Sequence, residues 1–282
     1  MTARIIALID GSTYSKSICE NAAWIAKRTG ATVELVHVLG RRETASSDLS
    51  GTIALGARSS LLAELSSLDE ERARLAQKRG RAILEDAQAM LAEAGVEASM
   101  RLRNGDLLET VAEAEKQADI IVIGKRGEGA DFAKLHLGSN LERIVRSATR
   151  PVYVAARAWR PVEKVLIAHD GGPSIGRAVD HIARSALFSA LDIRLLAVGA
   201  DTAEHRRRLA DAEAVLKAGG HQATSRLVLG QPDRVIAEIV EKDGIDLLVM
   251  GAYGHSRIRS MIIGSTTTEM IRACKIPILL FR

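Results

Sequence analysis

Short apolar runs alternate with amphipathic stretches along the chain, and the whole alternation occurs twice. Arg4-Ile-Ile-Ala-Leu-Ile-Asp10 and Lys164-Val-Leu-Ile-Ala-His-Asp170 each read as a buried strand running into an Asp-Gly turn. Small and apolar residues at helical spacing predict helices over 17–29 and 175–190, and second strands over 32–39 and 192–198. Long helices follow at about 61–94 and 204–218, then third strands at 97–102 and 222–228. Asn104-Gly-Asp106 and Gly230-Gln-Pro-Asp233 look like caps for another helix in each half. Apolar runs at 120–123 and 247–250 predict fourth strands, and Pro151 and Pro277 introduce fifth strands over 152–156 and 278–281.

Strands alternating with helices predict an α/β chain of two tandem, open, mainly parallel five-stranded sheets with helices on both faces. The halves differ in one place. Asp10 to Gly124 spans 114 positions and Asp170 to Gly251 spans 81, so the first half holds about 33 more residues. They fall at 40–68, a Ser-, Gly- and Ala-rich stretch expected as a loop running into the long helix. Trp159 and Pro161 mark the expected junction, giving units 1–157 and 162–282.

A length of 282 residues, 47% of them apolar, suffices for two cores. No apolar run approaches the roughly 18 residues of a membrane span, and the N-terminal run meets Asp10 too early for a signal-peptide core. Cys19 and Cys274, far apart in helical patterns, read as small buried hydrophobes of a reducing, cytoplasmic protein. With 3% aromatic residues and a net charge of +4, stacking platforms and basic patches for nucleic acid are not expected. Arg206-Arg207-Arg208, interleaved with acidic residues, reads as a solvated helix face.

The chemistry is concentrated after the fourth strands. In the second half Gly251 and Gly254 are followed by Gly264, Ser265 and Thr266; in the first, Gly124 and Gly127 are followed by Gly138, Ser139 and Asn140. Glycines at a strand end let backbone amides approach an anion, and a Gly-Ser-Thr opening a helix offers free N–H groups and hydroxyls. Lys125, Arg126, Arg257 and Arg259 lie within these loops, either as polyphosphate contacts or as loop solubilisers. Both Asp-Gly turns and both glycine loops belong at the C-terminal ends of parallel strands, where open sheets bind ligands.

The strand-Asp-Gly start, the Gly-x2-Gly-x9-Gly-Ser-Thr element and the terminal Pro-strand together resemble the universal stress protein family in a tandem form, over nearly the whole chain. That resemblance implies an adenine-nucleotide α-hydrolase-like (Rossmann-like) fold with its halves related by a pseudo-twofold axis. It also implies ATP, alone or with Mg, as ligand. In the ATP-binding branch of the family the glycine element holds phosphates and ribose, the aspartate and its preceding residue face the nucleoside, and the end of strand two touches adenine. Carried over by position, the second half offers His169, Asp170, Val198, Met250, Gly251 and Tyr253, then Gly254, Gly264, Ser265, Thr266 and Thr267. The first half offers Ile9, Asp10, Val38, Ile123, Gly124, Gly127, Gly138 and Ser139. There, ten residues instead of nine separate Gly127 from Gly138 and Asn140 replaces threonine, so weaker binding or none is expected. No catalytic or metal-ligating residue is implied.

Simpler readings stand beside these. Asp10 and Asp170 could merely cap the next helices, and His37 and His169 would at most touch a base or ribose. Gly171-Gly-Pro-Ser-Ile-Gly176-Arg177-Ala178 nearly spells a P-loop but lacks its lysine and hydroxyl. The same stretch holds a nucleophile-elbow pattern at Ser174, with Asp246 and His255 in hydrolase order. The functional classes are a nucleotide-binding regulator, a slow ATP-hydrolysing enzyme, and a scaffold without nucleotide. The apolar fifth strands need cover, so an internal pseudo-dimer pairing them is expected, with a homodimer through 40–68 and the following helix as a further expectation.

Overall fold

The computed structural model describes residues 3–40, 58–127, 139–252 and 265–282, without the side chains of 58–63 and 139. In the first half β1 (Arg4–Leu8), α1 (Ser15–Thr29), β2 (Thr32–Leu39), α2 (Arg58–Glu93) and β3 (Ala98–Asn104) precede α3 (Leu107–Ala114), β4 (Ile120–Gly124), α4 (Ser139–Ser147) and β5 (Val152–Ala155). The second half repeats the order: β6 (Lys164–Ala168), α5 (Pro173–Arg184), β7 (Asp192–Val198), α6 (Ala203–Ala218), β8 (Ala223–Val228), α7 (Pro232–Lys242), β9 (Leu247–Gly251), α8 (Ser265–Ala273) and β10 (Ile278–Phe281).

All ten strands join one sheet in the order β3-β2-β1-β4-β5-β10-β9-β6-β7-β8. Every pairing is parallel except at the centre, where β5 and β10 run antiparallel with Val154 opposite Ile278 and Val152 opposite Leu280. Period-2 alternation sorts the strand residues between two layers: Ile5 and Ala7 join one core with α1, α2, α5 and α6, while Ile6 and Leu8 join the other with α3, α4, α7 and α8. Each layer runs continuously through both halves. The order is a palindrome about the β5–β10 pair, as the expected internal pseudo-dimer requires, and the apolar edges are buried.

Polar contacts lock the seam. Within the first half, the hydroxyl of Tyr153 on the seam strand β5 donates to Asn21 Oδ1 of α1 at 2.7 Å, and the other contacts cross between the halves. Arg28 donates from Nε to the Leu187 carbonyl at 2.6 Å and from Nη2 to the Ser189 carbonyl. More telling is a reciprocal exchange of helix caps. Lys125 Nζ donates to the Cys274 carbonyl at the end of α8, and Arg282 Nη1 donates to the Ser147 carbonyl at the end of α4, at 3.2 Å. Each half thus places a cation at the negative end of the other half's last helix.

Three expectations are corrected here. The helix expected over 175–190 ends at Arg184, because Ser185 turns extended and its hydroxyl accepts from Leu187 N to start a separate 3-10 turn, Ala186–Phe188. Asp106 does cap α3, accepting from Leu108 N and Glu109 N, but Asp233 lies inside the first turn of α7, whose cap position is Gln231. Lys125 is neither a polyphosphate contact nor a loop solubiliser: it is buried, and its ammonium is committed to α8. Cys19 and Cys274 are free and buried, as expected.

Candidate functional site

The antiparallel seam sends the C-terminal strand ends of the two halves to opposite edges of the sheet, so the chain has two separate candidate clefts. In each, the aspartate after the first strand folds its own turn rather than capping a helix. Asp10 Oδ1 accepts from Ser12 N at 3.0 Å, and Asp170 Oδ1 accepts from Gly172 N at 2.9 Å. The next residues, Gly11 and Gly171, have φ of 76° and 74°, which a side chain would strain. The helices beyond have Tyr14 and Gly172 at their cap positions, with no side-chain cap.

Because β4 lies beside β1, the first glycine turn sits against Asp10. A Cβ on Gly127 would stand 2.8 Å from Asp10 Oδ2, and one on Gly124 would stand 2.7 Å from Tyr14 Cβ. These glycines answer to close packing with the Asp10 turn. Ile9 and Ile123 are buried core side chains, leaving only their backbone to face a ligand, and Val38 is half-buried. The same holds for Met250 in the second half. The position after Gly124 is Lys125, whose amine points away to α8.

In the second half β9 lies beside β6, bringing Gly251 next to the Asp170 turn. Thr267, buried in the first turn of α8, donates its hydroxyl to the Gly251 carbonyl at 3.0 Å. This bond pins the start of α8 to the end of β9 and leaves Ser265 exposed and Thr266 half-exposed at the helix N-terminus, the end that attracts anions. The aligned position in α4 is Leu141, which is buried in the core and has no hydroxyl to make such a bond. Gly138, Tyr253, Gly254 and Gly264 lie outside the described residues, as do His136, His255, Arg257 and Arg259, and Ser139 is described by backbone alone.

The clefts differ beside β2 and β7 through paired exchanges of size. Strand register makes His169 the counterpart of Ile9, and Ala197 that of His37. On the long helices Leu84, Ala87 and Leu91 match Leu209, Ala212 and Leu216, so Gly80 corresponds to His205 and Ile83 to Arg208. In the first half His37 fills the room left by Gly80, whose Cβ would stand 2.9 Å from His37 Cδ2, and its Nδ1 bonds the Ile9 carbonyl at 2.6 Å. In the second half the small residue is on the strand and the imidazole on the helix: His205 Nδ1 bonds the Ala200 carbonyl at 2.7 Å. Arg208 covers the Asp170 turn, its Nη1 standing 2.8 Å from where a Gly171 Cβ would be. Burial holds the His169 imidazole below its usual pKa, with the charge of Arg208 adding to the effect and Asp170 opposing it.

Arg208 also closes the second cleft. Among its described residues, His169, Asp170, Val198, His205 and Arg208 enclose only about 30 Å3, the share of roughly one water. The first half opens about 390 Å3 between His37, Leu39, Gly80, Ile83 and the outer turns of α2. The glycine and threonine chemistry is better developed in the second half, whereas the room is in the first. Sequence reasoning missed Tyr14, Gly80, His205 and Arg208. For Arg208 a signal existed, since it directly precedes Leu209 in the buried helical series 209, 212, 216.

The hydrolase pattern does not assemble. Ser174 is buried near the C-terminal end of β6, while Asp246 accepts from Glu163 N and Lys164 N at 3.0 and 2.9 Å at the opposite end of that strand. The arginine in the P-loop-like stretch is also engaged elsewhere, Arg177 Nε donating to the Arg282 carbonyl at 2.7 Å. Among the described residues no three His, Cys, Asp or Glu side chains gather as a metal site, and no helix is long and apolar enough to cross a membrane.

Comparison with known proteins agrees with this architecture. The profile of the Universal stress protein family matches residues 1–156 and 194–282. A universal stress protein of Synechocystis is 35% identical over 284 residues, covering 99% of each chain. In fold, the chain is similar to a universal stress protein from Archaeoglobus fulgidus, with a TM-score of 0.69, 21% identity, and coverage of 98% of this chain and 95% of that one. It is similar also to a putative universal stress protein from Pseudomonas aeruginosa, with a TM-score of 0.62, 14% identity, and coverage of 99% and 92%.

Proposed function

The chain belongs to the universal stress protein family, and from that premise we propose that it is a stress-associated, cytoplasmic ATP-binding regulator built of units 1–157 and 162–282. ATP, with Mg accompanying its phosphates, is held chiefly by the second unit, and the output is a change of conformation or association. The Thr267–Gly251 bond carries this reading, because it fixes the N-terminus of α8 beside the Asp170 turn. Ser265 and Thr266 then offer hydroxyls and free backbone N–H groups to phosphate oxygens. Gly251, Gly254 and Gly264 give the backbone its close approach, Tyr253 flanks them, and His169, Asp170 and Val198 face the nucleoside. For the base to enter, Arg208 must swing off the Asp170 turn; its side chain is 39% exposed, so the route to solvent is open.

The test is calorimetric titration of the full chain with ATP, with and without Mg. A side chain at Gly264 would take the space of a phosphate oxygen, so Gly264→Val is expected to abolish binding while the thermal melt is retained. Unchanged affinity in a folded Gly264→Val protein sinks the assignment.

A further inference from the structure

The outer turns of the long helix α2, where Leu75 and Arg79 also border the first cleft, carry a second feature. Its C-terminal part packs on the sheet through Leu84, Ala87 and Leu91, all buried. Earlier in the same helix Leu68 and Leu75 are 46% and 55% exposed. Seven residues apart, they lie on one face about 10 Å from each other along the axis. Charge is segregated around them. Residues 64–71 hold Glu64, Asp69, Glu70 and Glu71 with no cation, and residues 72–81 hold Arg72, Arg74, Lys78, Arg79 and Arg81 with no carboxylate.

This pattern is its own complement when reversed. If two copies of α2 cross antiparallel with the axis between residues 71 and 72, Leu68 of one meets Leu75 of the other. The acidic block of each then lies along the basic block of the other, Glu71 beside Arg72. In a parallel pairing the same blocks would repel. We propose that a second copy of this chain docks here, the two α2 helices forming an antiparallel pair about a twofold axis. The intrahelical ion pair of the exposed Arg72 with the half-buried Asp69 is long, at 3.9 Å, so Arg72 gives up little in turning to this partner. Two leucines per helix make a small interface, under about 1,200 Å2, so the dimer is weak and sensitive to salt.

Sedimentation of the full chain tests this. The native protein is expected to dimerise with a dissociation constant on the order of micromolar, weakening about tenfold between low and high salt. Glu64→Lys/Glu70→Lys/Glu71→Lys turns the acidic block net basic, with only Asp69 left, and Arg72→Glu/Arg74→Glu/Lys78→Glu turns the basic block net acidic, with Arg79 and Arg81 left. Each variant alone is expected to be monomeric, with a native melting curve, and an equimolar mixture to dimerise again. Leu68→Glu is expected to give a folded monomer. A native protein that stays monomeric at high concentration, or a dimer indifferent to all these changes, or variants that fail to pair when mixed, overturns the proposal.

Discussion

Replacing Lys125 by methionine removes the buried ammonium that links the first glycine turn to the end of α8, while keeping most of its volume. Desolvation drives the Lys125 pKa from 10.5 down to about 8; the neighbouring Cys274 opposes the fall and Arg126 adds to it. At about 1.4 kcal/mol per pH unit, this fall represents about 3 kcal/mol of strain when the amine is charged. The methionine relieves that cost but leaves the Cys274 carbonyl without its donor, a loss of about 1–3 kcal/mol. The two terms nearly offset at pH 7, so stability there is expected to change little. The pH dependence separates them.

Between the folded pKa and the unfolded one, the unfolded chain binds the proton and the folded chain releases it, so stability rises with pH. Below about pH 8 both states are protonated and the penalty is fully present. It is relieved progressively towards pH 10.5. Burial pushes the Cys19 and Tyr153 pKa values up, which lowers stability as pH rises, but these groups are common to both proteins and cancel in the difference. Burial also pushes Cys274 up, and losing the Lys125 charge pushes it further, which adds to the native protein's gain. Urea unfolding at pH 7, 8 and 9 should therefore show the native protein gaining about 1 kcal/mol on Lys125→Met across that range. A difference that stays constant with pH would refute a desolvated, titrating Lys125.

Three further outcomes are expected. Arg208→Ala, by vacating the second cleft, should raise ATP affinity several-fold in calorimetry; a tenfold loss would instead make the guanidinium a ligand contact. Thr267→Val leaves the Gly251 carbonyl unbonded, so it should cost about 1 kcal/mol of stability and weaken ATP binding more than Leu141→Ala does in the first half. The titration should saturate near one tight ATP per chain, since Lys125 has left the first glycine turn for α8, and two equally tight sites would contradict the inequality of the halves.

Much of the architecture was legible because it is written in local periodicity. Second strands expected over 32–39 and 192–198 coincide with β2 and β7, since each apolar run opens on a polar residue, Thr32 or Asp192, and is closed by a glycine, Gly40 or Gly199. The β5–β10 pairing was legible for another reason: two apolar post-proline strands leave a chain few ways to hide them. The end of α5 was not, because what stops it is Ser185 turning to cap a 3-10 segment that Arg28, 159 positions earlier in the chain, holds in place. The cap exchange was hidden likewise. Lys125 lies 149 positions from Cys274, and nothing in the sequence near either announces the other.

The clefts show the same limit in a more instructive form. His37 with Gly80 and Ala197 with His205 exchange an imidazole between strand and helix, the ring bonding the Ile9 carbonyl in the first half and the Ala200 carbonyl in the second. A reading by position compares Ile9 with His169 and Val38 with Val198 and finds the pair half altered. Paired across the cleft, the imidazole exchange is offset in size, whereas Ile9 against His169 and Ile83 against Arg208 each put an ionisable side chain where an aliphatic one stood. These exchanges, with the outer turns of α2 that bring Leu75, Ala76 and Arg79 to the first cleft, separate an open cleft from one covered by a guanidinium. The halves therefore diverged by keeping the packing of the duplicated fold while changing the residues before and over each Asp-Gly turn, and it is there that any difference in their ligands should be decided.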